Sequence, residues 1–327
     1  MKKTVAIALS TYNGAQYIRE QLESLVHQTI LEEQHYQVKL VVRDDGSTDA
    51  TLSILKEYQR TYPALQWTIL EGENIGWKQS FNELLQATVA DYIFLCDQDD
   101  IWDLDKCRIM LDQMQRQSEI EVLIHRVQYY YTSDVGVKKI LNQSYEELGI
   151  TKNDGSLEQV PPKAHFSYFP FLGCCFLITN PIREEYLSVI HHKENTIAHD
   201  TALFLIGATR NSLFYLNRQL IQYRQHSQNA TSVSNRQNPF QLARKQKRTT
   251  LTFYENLMVI LSSIASLSVN RQQAEDAQAM LDRIRKEYLA LKHHRMLRFT
   301  RLKRGKFGWN KLMLIDMLVA LVPPIRG

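Results

Sequence analysis

The sequence predicts an α/β fold, in which a mostly parallel sheet is flanked by helices and followed by a helical C-terminal extension. Two observations lead to this prediction. Apolar runs alternate with segments of helical spacing through roughly the first hundred residues, which is the pattern of parallel strands joined by crossover helices. After Pro239, Leu and Ile recur at helical spacing over a long stretch, which predicts helices without strands.

Four short apolar runs predict the first strands, because each run is bounded by polar residues. They lie at residues 5–9, 38–42, 67–70 and 92–96. Apolar residues three and four positions apart predict the intervening helices at residues 17–27, 50–62 and 78–87. The carboxyl ends of the strands then share one edge of the sheet, where ligands bind in folds of this kind.

The middle of the chain alternates less regularly and carries more loops. The predicted elements are a helix at 106–117, a strand at 122–131, a loop with a short helix at 134–165, a buried loop and strand at 171–178, helices at 181–192 and 201–207, short strands at 212–216 and 220–223, and a polar loop at 225–238. The full length of 327 residues suits one large or two ordinary domains. From the predicted elements, we divide the chain into residues 1–115, 116–235 and 236–327.

The net charge of +4 conceals a strong division along the chain. Residues 1–230 hold 21 Lys or Arg and 29 Asp or Glu, a net charge of −8. Residues 231–327 hold 18 and 6, a net charge of +12. A basic tail on an acidic body predicts an anionic partner surface, either nucleic acid or membrane.

The C-terminal end favours the membrane. Residues 292–306 carry seven Lys or Arg and no acid, and residues 312–322 are apolar except for Asp316. This apolar run is shorter than the ~20 residues that a spanning helix needs, so we predict an anchor lying at the membrane interface. A packed terminal helix or a homodimer contact is the alternative. Nucleic acid is not expected as a partner, because no recognisable binding module accompanies the charge.

Four cysteines show no metal-binding or redox spacing. Cys96 lies in a predicted strand and Cys174 is adjacent to Cys175, so buried reduced thiols and a cytoplasmic protein are expected. The N-terminal apolar run ends at Leu9 without a small-residue cleavage site. We therefore interpret it as the first strand and not as a signal peptide.

Three carboxylates follow directly on the predicted strand at residues 92–96. Asp97, Asp99 and Asp100 stand where a buried strand ends, so their mutual repulsion favours binding of a cation. Carboxylate oxygens suit Mg²⁺ or Mn²⁺, and these ions in turn bind phosphate. A solvated acidic turn is the alternative that this motif alone leaves open.

With its loops taken in order, the chain resembles the family 2 glycosyltransferases of GT-A fold, a Rossmann-like fold. The resemblance rests on Ser-Thr-Tyr-Asn-Gly at 10–14, Asp-Asp-Gly-Ser-Thr-Asp at 44–49, Asn-Ile-Gly at 74–76 and Asp-Gln-Asp-Asp-Ile-Trp at 97–102. It covers about residues 4–230. The last motif and residues 223–230 are similar to the bacterial rhamnosyltransferase branch, which builds rhamnose-containing cell-wall polysaccharides.

The resemblance implies roles for the loop residues. The nucleotide and donor would be bound by Thr11, Tyr12, Asn13, Asp44, Asp45, Asn74, Gly76, Lys78, Asp97 and Gln98. Mg²⁺ or Mn²⁺ would be held on the diphosphate by Asp97 and Asp99, with His226 as a possible third ligand. The acceptor or sugar pocket would include Asp100, Trp102, Gly173, His199 and Arg224.

Inversion at the sugar needs a base that deprotonates the acceptor hydroxyl. The resemblance implies Asp200 as this base, although an Asp at the start of a helix is also a common N-cap. The family often has Glu before this Asp, and here His199 leaves its own role open. A second departure is His125-Arg126, where relatives often carry an acid.

The resemblance implies an inverting transferase that moves L-rhamnose from dTDP-β-L-rhamnose to a polyprenyl-linked glycan at the cytosolic membrane face. Residues 1–115 would bind the nucleotide sugar and residues 116–235 the acceptor, and the end of residues 236–327 would contact the membrane. A transferase using UDP-galactose, UDP-glucose or UDP-N-acetylglucosamine is the alternative. A non-catalytic binding protein is disfavoured because both the metal and the base carboxylates are present.

Overall fold

The computed structural model describes residues 2–131, 154–160, 171–190, 198–226 and 239–293, with side chains from residue 248 onward in the last range. The chain separates into two compact units. Residues 1–143, 152–160 and 171–229 belong to the first, and residues 144–151, 161–170 and 230–327 to the second. The assignment of residues 1–115 and 116–235 to donor and acceptor stays a prediction.

One mixed sheet dominates the first unit. Nine strands of the described residues build it, in the order β3-β2-β1-β4-β8-β6-β9-β5, with β7 beside β9. The strands are β1 (Lys3–Thr11), β2 (Tyr36–Asp44), β3 (Gln66–Glu71), β4 (Tyr92–Cys96), β5 (Ile101–Trp102), β6 (Val122–Tyr131), β7 (Leu157–Gln159), β8 (Phe176–Thr179) and β9 (Leu213–Gln225).

The first four strands are parallel, as the alternation of strands and helices predicts. Ile7 of β1 lies opposite Leu40 of β2 and Phe94 of β4, and β3 pairs with β2 on the outer side. The connecting helices are α1 (Ile18–Val26), α2 (Thr51–Thr61), α3 (Trp77–Ala87) and α4 (Lys106–Arg116). Their apolar faces bury residues such as Leu22, Leu55 and Leu84 completely.

The other half of the sheet mixes directions. Strand β8 is antiparallel to both β4 and β6, whereas β6 and β9 are parallel. The sequence pattern predicts two short strands at 212–216 and 220–223, but β9 is continuous and bends at a register shift beside His125 and Arg126 of β6. Strands β5 and β7 were not predicted, since two or three residues are too few to show a period. Helices α5 (Asn180–Ile190) and α6 (His199–Thr209) complete the unit.

All four cysteines are buried and free, as predicted. Cys174 and Cys175 lie in a short 3-10 turn, Gly173–Cys175, that leads into β8. Packing, and not disulfide formation, is therefore their structural role.

The second unit contains a pair of long helices, α7 (Pro239–Leu267) and α8 (Arg271–Lys292). The side chain of Asn270 caps α8 by accepting from the backbone N–H of Gln272 and Gln273. The Tyr254 hydroxyl donates to Glu287 across the pair at 3.1 Å. The stretch Arg248–Leu267, 28 % buried, is the one described helix that is long and apolar enough to cross a membrane.

The predicted membrane anchor, apart from Lys292 and His293, lies outside the described residues. The same holds for most of the predicted loop at 225–238 and for most of residues 134–165.

Candidate active site

The loop after β2 is held together by Asp44. Its carboxylate accepts from the Thr11 hydroxyl at 3.0 Å, from the Ser47 hydroxyl at 2.6 Å and from the Ser47 backbone N–H at 2.9 Å. The side chain is 2 % exposed. Asp44 thus joins the ends of β1 and β2, and its carboxylate is already engaged by the protein.

Asp45 plays the same part for the loop after β3. Its carboxylate accepts from the backbone N–H of Ile75 at 3.0 Å and of Gly76 at 2.9 Å, and it forms an ion pair with Arg43. Arg43 also donates to Glu83 on α3 at 2.8 Å. Arg43, which our sequence analysis did not single out, provides the positive charge that allows Asp45 to be buried.

The loop after β1 is tied to the loop after β4. The backbone N–H of Tyr12 donates to the Gln98 side chain at 2.8 Å, and the Gln98 amide donates to the Tyr12 carbonyl at 3.0 Å. A Cβ at Gly14 would lie 2.2 Å from Gln98, so only glycine leaves room for this pair. The Tyr12 ring remains 43 % exposed and is free to contact a ligand.

Asn13 links the same loop to the loop after β2. Its side-chain carbonyl accepts from the Thr48 backbone N–H at 2.8 Å, and its own N–H donates to the Ser47 hydroxyl at 2.9 Å. Asn13 has a φ of 46°, a left-handed conformation that Asn tolerates better than most residues. All four of the predicted nucleotide-binding loops are therefore prearranged by side-chain contacts at one edge of the sheet.

The carboxylates after β4 are crowded. Ligand atoms of Asp97, Asp100 and Cys174 lie within 4.8 Å of one another, a group that could hold a metal ion. Burial, together with the charges of Asp99 and Asp200, raises the pKa of Asp97 to about 7. One oxygen of Asp100, Oδ2, is buried without a hydrogen-bond partner among the described residues. An added cation would relieve both the repulsion and the unmet acceptor.

Asp99 faces a different partner. Its Oδ2 lies 2.7 Å from Nε2 of His226, which is 7 % exposed and packs on the Tyr17 ring at a centroid distance of 4.5 Å. The structure thus brings the predicted ligands Asp99 and His226 together at the end of β9. It also gathers Asp100 and Cys174 around Asp97, a grouping that the sequence did not predict.

Arg224 was predicted to line a sugar pocket, but in the structure its side chain is engaged by neighbouring protein groups. Its guanidinium donates from Nε to the Asp99 carbonyl at 2.7 Å and to Glu20 at 2.9 Å, and its backbone N–H donates to Asp100 at 3.0 Å. The residue is 4 % exposed. Arg224 therefore fastens the acidic turn to β9, because a guanidinium can satisfy several acceptors at once.

Asp100 and Trp102 were also predicted to line the sugar pocket, but both are buried. Asp100 is 0 % exposed and Trp102 is 2 % exposed. Strand β5 pairs with β9 and turns the indole into the core, where the Lys106 ammonium lies 3.5 Å from the ring centroid. Lys106 is fully buried and donates to the Cys174 carbonyl at 2.8 Å. Helical spacing gave no sign that this lysine would be internal.

Asp200 stands in the first turn of α6 and does not cap the helix with its side chain, since the N-cap residue is Ala198. Its carboxylate accepts from the Thr201 backbone N–H at 2.6 Å. Burial raises the pKa of Asp200 to about 6, and the charge of Lys78 acts in the opposite direction. A carboxylate with such a pKa is suited to take a proton near neutral pH.

His199 is buried and neutral. It is 3 % exposed, burial lowers its pKa to about 3, and its ring stacks on Phe81 at 3.9 Å between centroids. A Cβ at Gly173 would lie 2.4 Å from Nε2 of His199. Gly173 therefore makes room for this imidazole, whereas the resemblance implied that it makes room for a sugar.

Comparison with known proteins shows which family the chain resembles. The sequence model of the family described as Glycosyl transferase family 2 matches residues 6–173. The chain is 30 % identical over 236 residues to the dTDP-rhamnosyl transferase RfbG of Shigella flexneri, which covers 69 % of this chain and 74 % of that protein. It is 24 % identical over 269 residues to an uncharacterized glycosyltransferase of Haemophilus influenzae, covering 81 % and 80 %.

Among solved structures, S. aureus TarS 1-349 in complex with UDP is similar in fold. The TM-score is 0.58 at 18 % sequence identity, and the match covers 98 % of this chain and 81 % of that chain. This likeness confirms the predicted GT-A fold with its helical C-terminal extension. The matched family model, the relative from Shigella flexneri and the order of the strand-end loops together identify the chain as a member of glycosyltransferase family 2.

Proposed function

We propose that this glycosyltransferase moves L-rhamnose from dTDP-β-L-rhamnose, with inversion, to a lipid-linked precursor of a cell-wall or surface polysaccharide. The observation that carries the choice of sugar is the similarity to a dTDP-rhamnosyl transferase over more than two thirds of both chains. UDP-galactose, UDP-glucose and UDP-N-acetylglucosamine are the competing donors.

In this proposal, Asp200 is the general base. The acceptor hydroxyl gives its proton to the Asp200 carboxylate while its oxygen bonds to the anomeric carbon of the sugar. The bond from that carbon to the diphosphate oxygen breaks, and dTDP leaves with the bonding electrons. Because attack and departure occur on opposite faces, the configuration at the anomeric carbon inverts. Burial of Asp200 supports the role by raising its pKa to about 6.

A divalent cation fits the acidic turn, since the charges of neighbouring carboxylates raise the pKa of Asp97 and a cation would relieve their repulsion. We assign it to Asp97 and Asp99 with His226, in preference to the group of Asp97, Asp100 and Cys174. Burial raises the pKa of the Cys174 thiol, so this sulfur stays protonated and is a poor ligand for Mg²⁺ or Mn²⁺. When bound, the ion would neutralise negative charge on the departing diphosphate.

The nucleotide would lie over the loops that Asp44 and Asp45 hold in place. Both carboxylates are 2 % exposed and hydrogen-bonded within the protein, so their main contribution is the loop shape. The groups available to a base and ribose are the exposed Tyr12 and Asn74 and the partly exposed Asn13. Lys78 would offset part of the diphosphate charge.

A donor screen tests the proposal. The purified protein is mixed with dTDP-β-L-rhamnose, UDP-galactose, UDP-glucose or UDP-N-acetylglucosamine, with Mn²⁺ or with EDTA, and nucleoside diphosphate release is measured. We expect release from dTDP-rhamnose with Mn²⁺ and none with EDTA. Release from a UDP-sugar alone would refute the proposed donor, and equal rates with EDTA would refute the need for a metal.

The metal ligands are tested by measuring Mn²⁺ binding with electron paramagnetic resonance, in the absence of any substrate. His226→Ala should weaken Mn²⁺ binding, whereas Cys174→Ala should leave it unchanged. The reverse result would place the ion on the group of Asp97, Asp100 and Cys174. Asp97→Asn should abolish binding in either case and serves as the positive control.

We also propose that the protein works at the inner face of the bacterial membrane, held there by residues 292–327. The seven basic residues at 292–306 and the apolar run at 312–322 support this. A chain ending at residue 291 should lose its co-sedimentation with liposomes that contain anionic lipid. Undiminished co-sedimentation of the shortened chain would refute the anchor.

A further inference from the structure

Trp77 is a large apolar side chain left at the surface. It is the first residue of α3 and is 43 % exposed. Gly76 precedes it with a φ of 82° and has open space around it. This left-handed turn, which favours glycine, directs the chain into the helix and sets the position of the indole. The exposed part of the indole is accessible to a ligand.

The indole is supported by a rigid aromatic group. The His199 ring meets it edge-on at 6.0 Å between centroids, with an interplanar angle of 81°. The His199 ring in turn stacks on Phe81, which is 3 % exposed. Both ring nitrogens of His199 lack a hydrogen-bond partner among the described residues, so the imidazole acts here as a packing surface. Trp77 is therefore held from behind while part of it faces solvent.

The position of Trp77 lies between the two chemical parts of the site. On one side, Asp45 fixes the loop that enters α3 through the backbone N–H of Gly76 at 2.9 Å. On the other, His199 is followed directly by Asp200. Lys78 lies 5.5 Å from the Trp77 ring centroid, and its charge reaches Asp200.

From this placement, we infer that Trp77 is the surface on which the transferred sugar ring of the donor lies. The inference rests on the proposed function. The sugar is bonded to the diphosphate on one side and is attacked from the side of the base, so it must occupy the space between them. The C–H bonds of a pyranose face, and the methyl group of a 6-deoxyhexose, suit an aromatic ring. Tryptophan offers the largest such surface.

The test compares a nucleotide sugar with its own nucleotide. Dissociation constants for dTDP-β-L-rhamnose and for dTDP are measured by calorimetry with Mn²⁺ and no acceptor. Trp77→Ala should raise the constant for dTDP-rhamnose about tenfold, which is the loss expected for one aromatic contact. The constant for dTDP should stay within about twofold of wild type. Trp77→Phe should restore most of the affinity, because it keeps an aromatic face.

Val89→Ala is the matched control. Val89 is 58 % exposed and precedes β4, at the opposite end of the strand from Asp97, so its removal should change neither constant. Equal weakening of dTDP and dTDP-rhamnose by Trp77→Ala would overturn the inference, since the loss would then concern the nucleotide or the fold. Unchanged affinity for both would overturn it as well.

Failure of the proposed donor gives a different result. If the wild-type protein binds UDP-galactose, UDP-glucose or UDP-N-acetylglucosamine but not dTDP-rhamnose, the proposed function is wrong in its sugar. The same comparison of that UDP-sugar with UDP then decides the role of Trp77. A wild-type protein that binds every nucleotide sugar no better than its nucleotide would overturn the inference directly.

Discussion

Two acidic loops at the same edge of the sheet differ in how their charge is balanced. After β2, Asp44 is saturated by hydrogen bonds, and Asp45 has two backbone donors and the Arg43 guanidinium. After β4, Asp97 lies near two further carboxylates, and its pKa is raised to about 7 by burial and by their charges. The carboxylates of the first loop are fully hydrogen-bonded or paired within the protein, whereas those of the second are crowded and could hold a cation.

The difference distinguishes carboxylates that hold the loops in place from carboxylates that are available for a ligand. A buried carboxylate with a complete set of donors holds neighbouring loops in place and has little capacity left for a ligand. Carboxylates that lie close together and repel one another favour a cation that can bind between them. The comparison therefore predicts opposite consequences of neutralising one acid in each loop.

The largest expected effect concerns the base. Asp200→Asn should lower kcat by a factor of about 10²–10⁴, because the amide cannot accept the hydroxyl proton. Affinity for dTDP should remain near that of wild type. Rates would be measured with saturating donor and Mn²⁺. A comparable loss of nucleotide binding would instead show that Asp200 has a structural role.

Neutralising Asp45 should destabilise the fold. Asp45→Asn removes one of the two carboxylates that pair with the buried Arg43 guanidinium, and breaking a buried pair costs about 3 kcal/mol. Asp97→Asn should instead raise the melting temperature of the metal-free protein, because it removes one of the repelling charges. Thermal unfolding in EDTA compares the two variants. Equal destabilisation by both would contradict the contrast between the loops.

The pH dependence follows from the pKa of about 6 for Asp200. The base must be ionised to act, so kcat/KM at saturating Mn²⁺ should fall about tenfold per unit as the pH drops below 6. Above the pKa, activity should level off. A profile flat from about pH 5 to 8 would refute Asp200 as the ionised base in the free enzyme.

The smallest expected effect is a shift in the pH at which kcat/KM falls on the acidic side, called here the acid limb of the profile. The Lys78 charge lowers the pKa of Asp200, so Lys78→Met should raise it and move the limb to higher pH. The expected displacement is less than about one pH unit, as for a single partly screened charge. Val89→Ala should leave the limb in place. A shift to lower pH in Lys78→Met would contradict the electrostatic link.

The first part of the fold was predictable because its signals are local. Each of β1 to β4 is a short apolar run, and each of α1 to α4 has apolar residues at helical spacing. The parallel arrangement then places the polar loops at one edge, without any knowledge of contacts. At that edge the structure joins Tyr12 to Gln98, and Asp45 to the loop after β3.

The rest of the site depended on contacts that are distant in sequence. Trp102 and Asp100 are drawn inward because β5 pairs with β9, more than a hundred residues later. Lys106 is internal because the Cys174 carbonyl lies where its ammonium ends. Gly173 and His199 share a space that neither residue could reveal alone.

The sequence by itself determined the order of strands and helices, the family and the edge of the sheet that carries the acids. Hydrophobic periodicity and short motifs depend on residues that are close together in the chain, so they can be recognised without a structure. Only the tertiary structure decided which acids are satisfied and which are crowded. Both loops contain the same residue type after a strand, and no local pattern separates them. The separation arises from Arg43 and backbone donors beside Asp45, and from the burial of Asp97 together with the charges of Asp99 and of Asp200 on a distant helix.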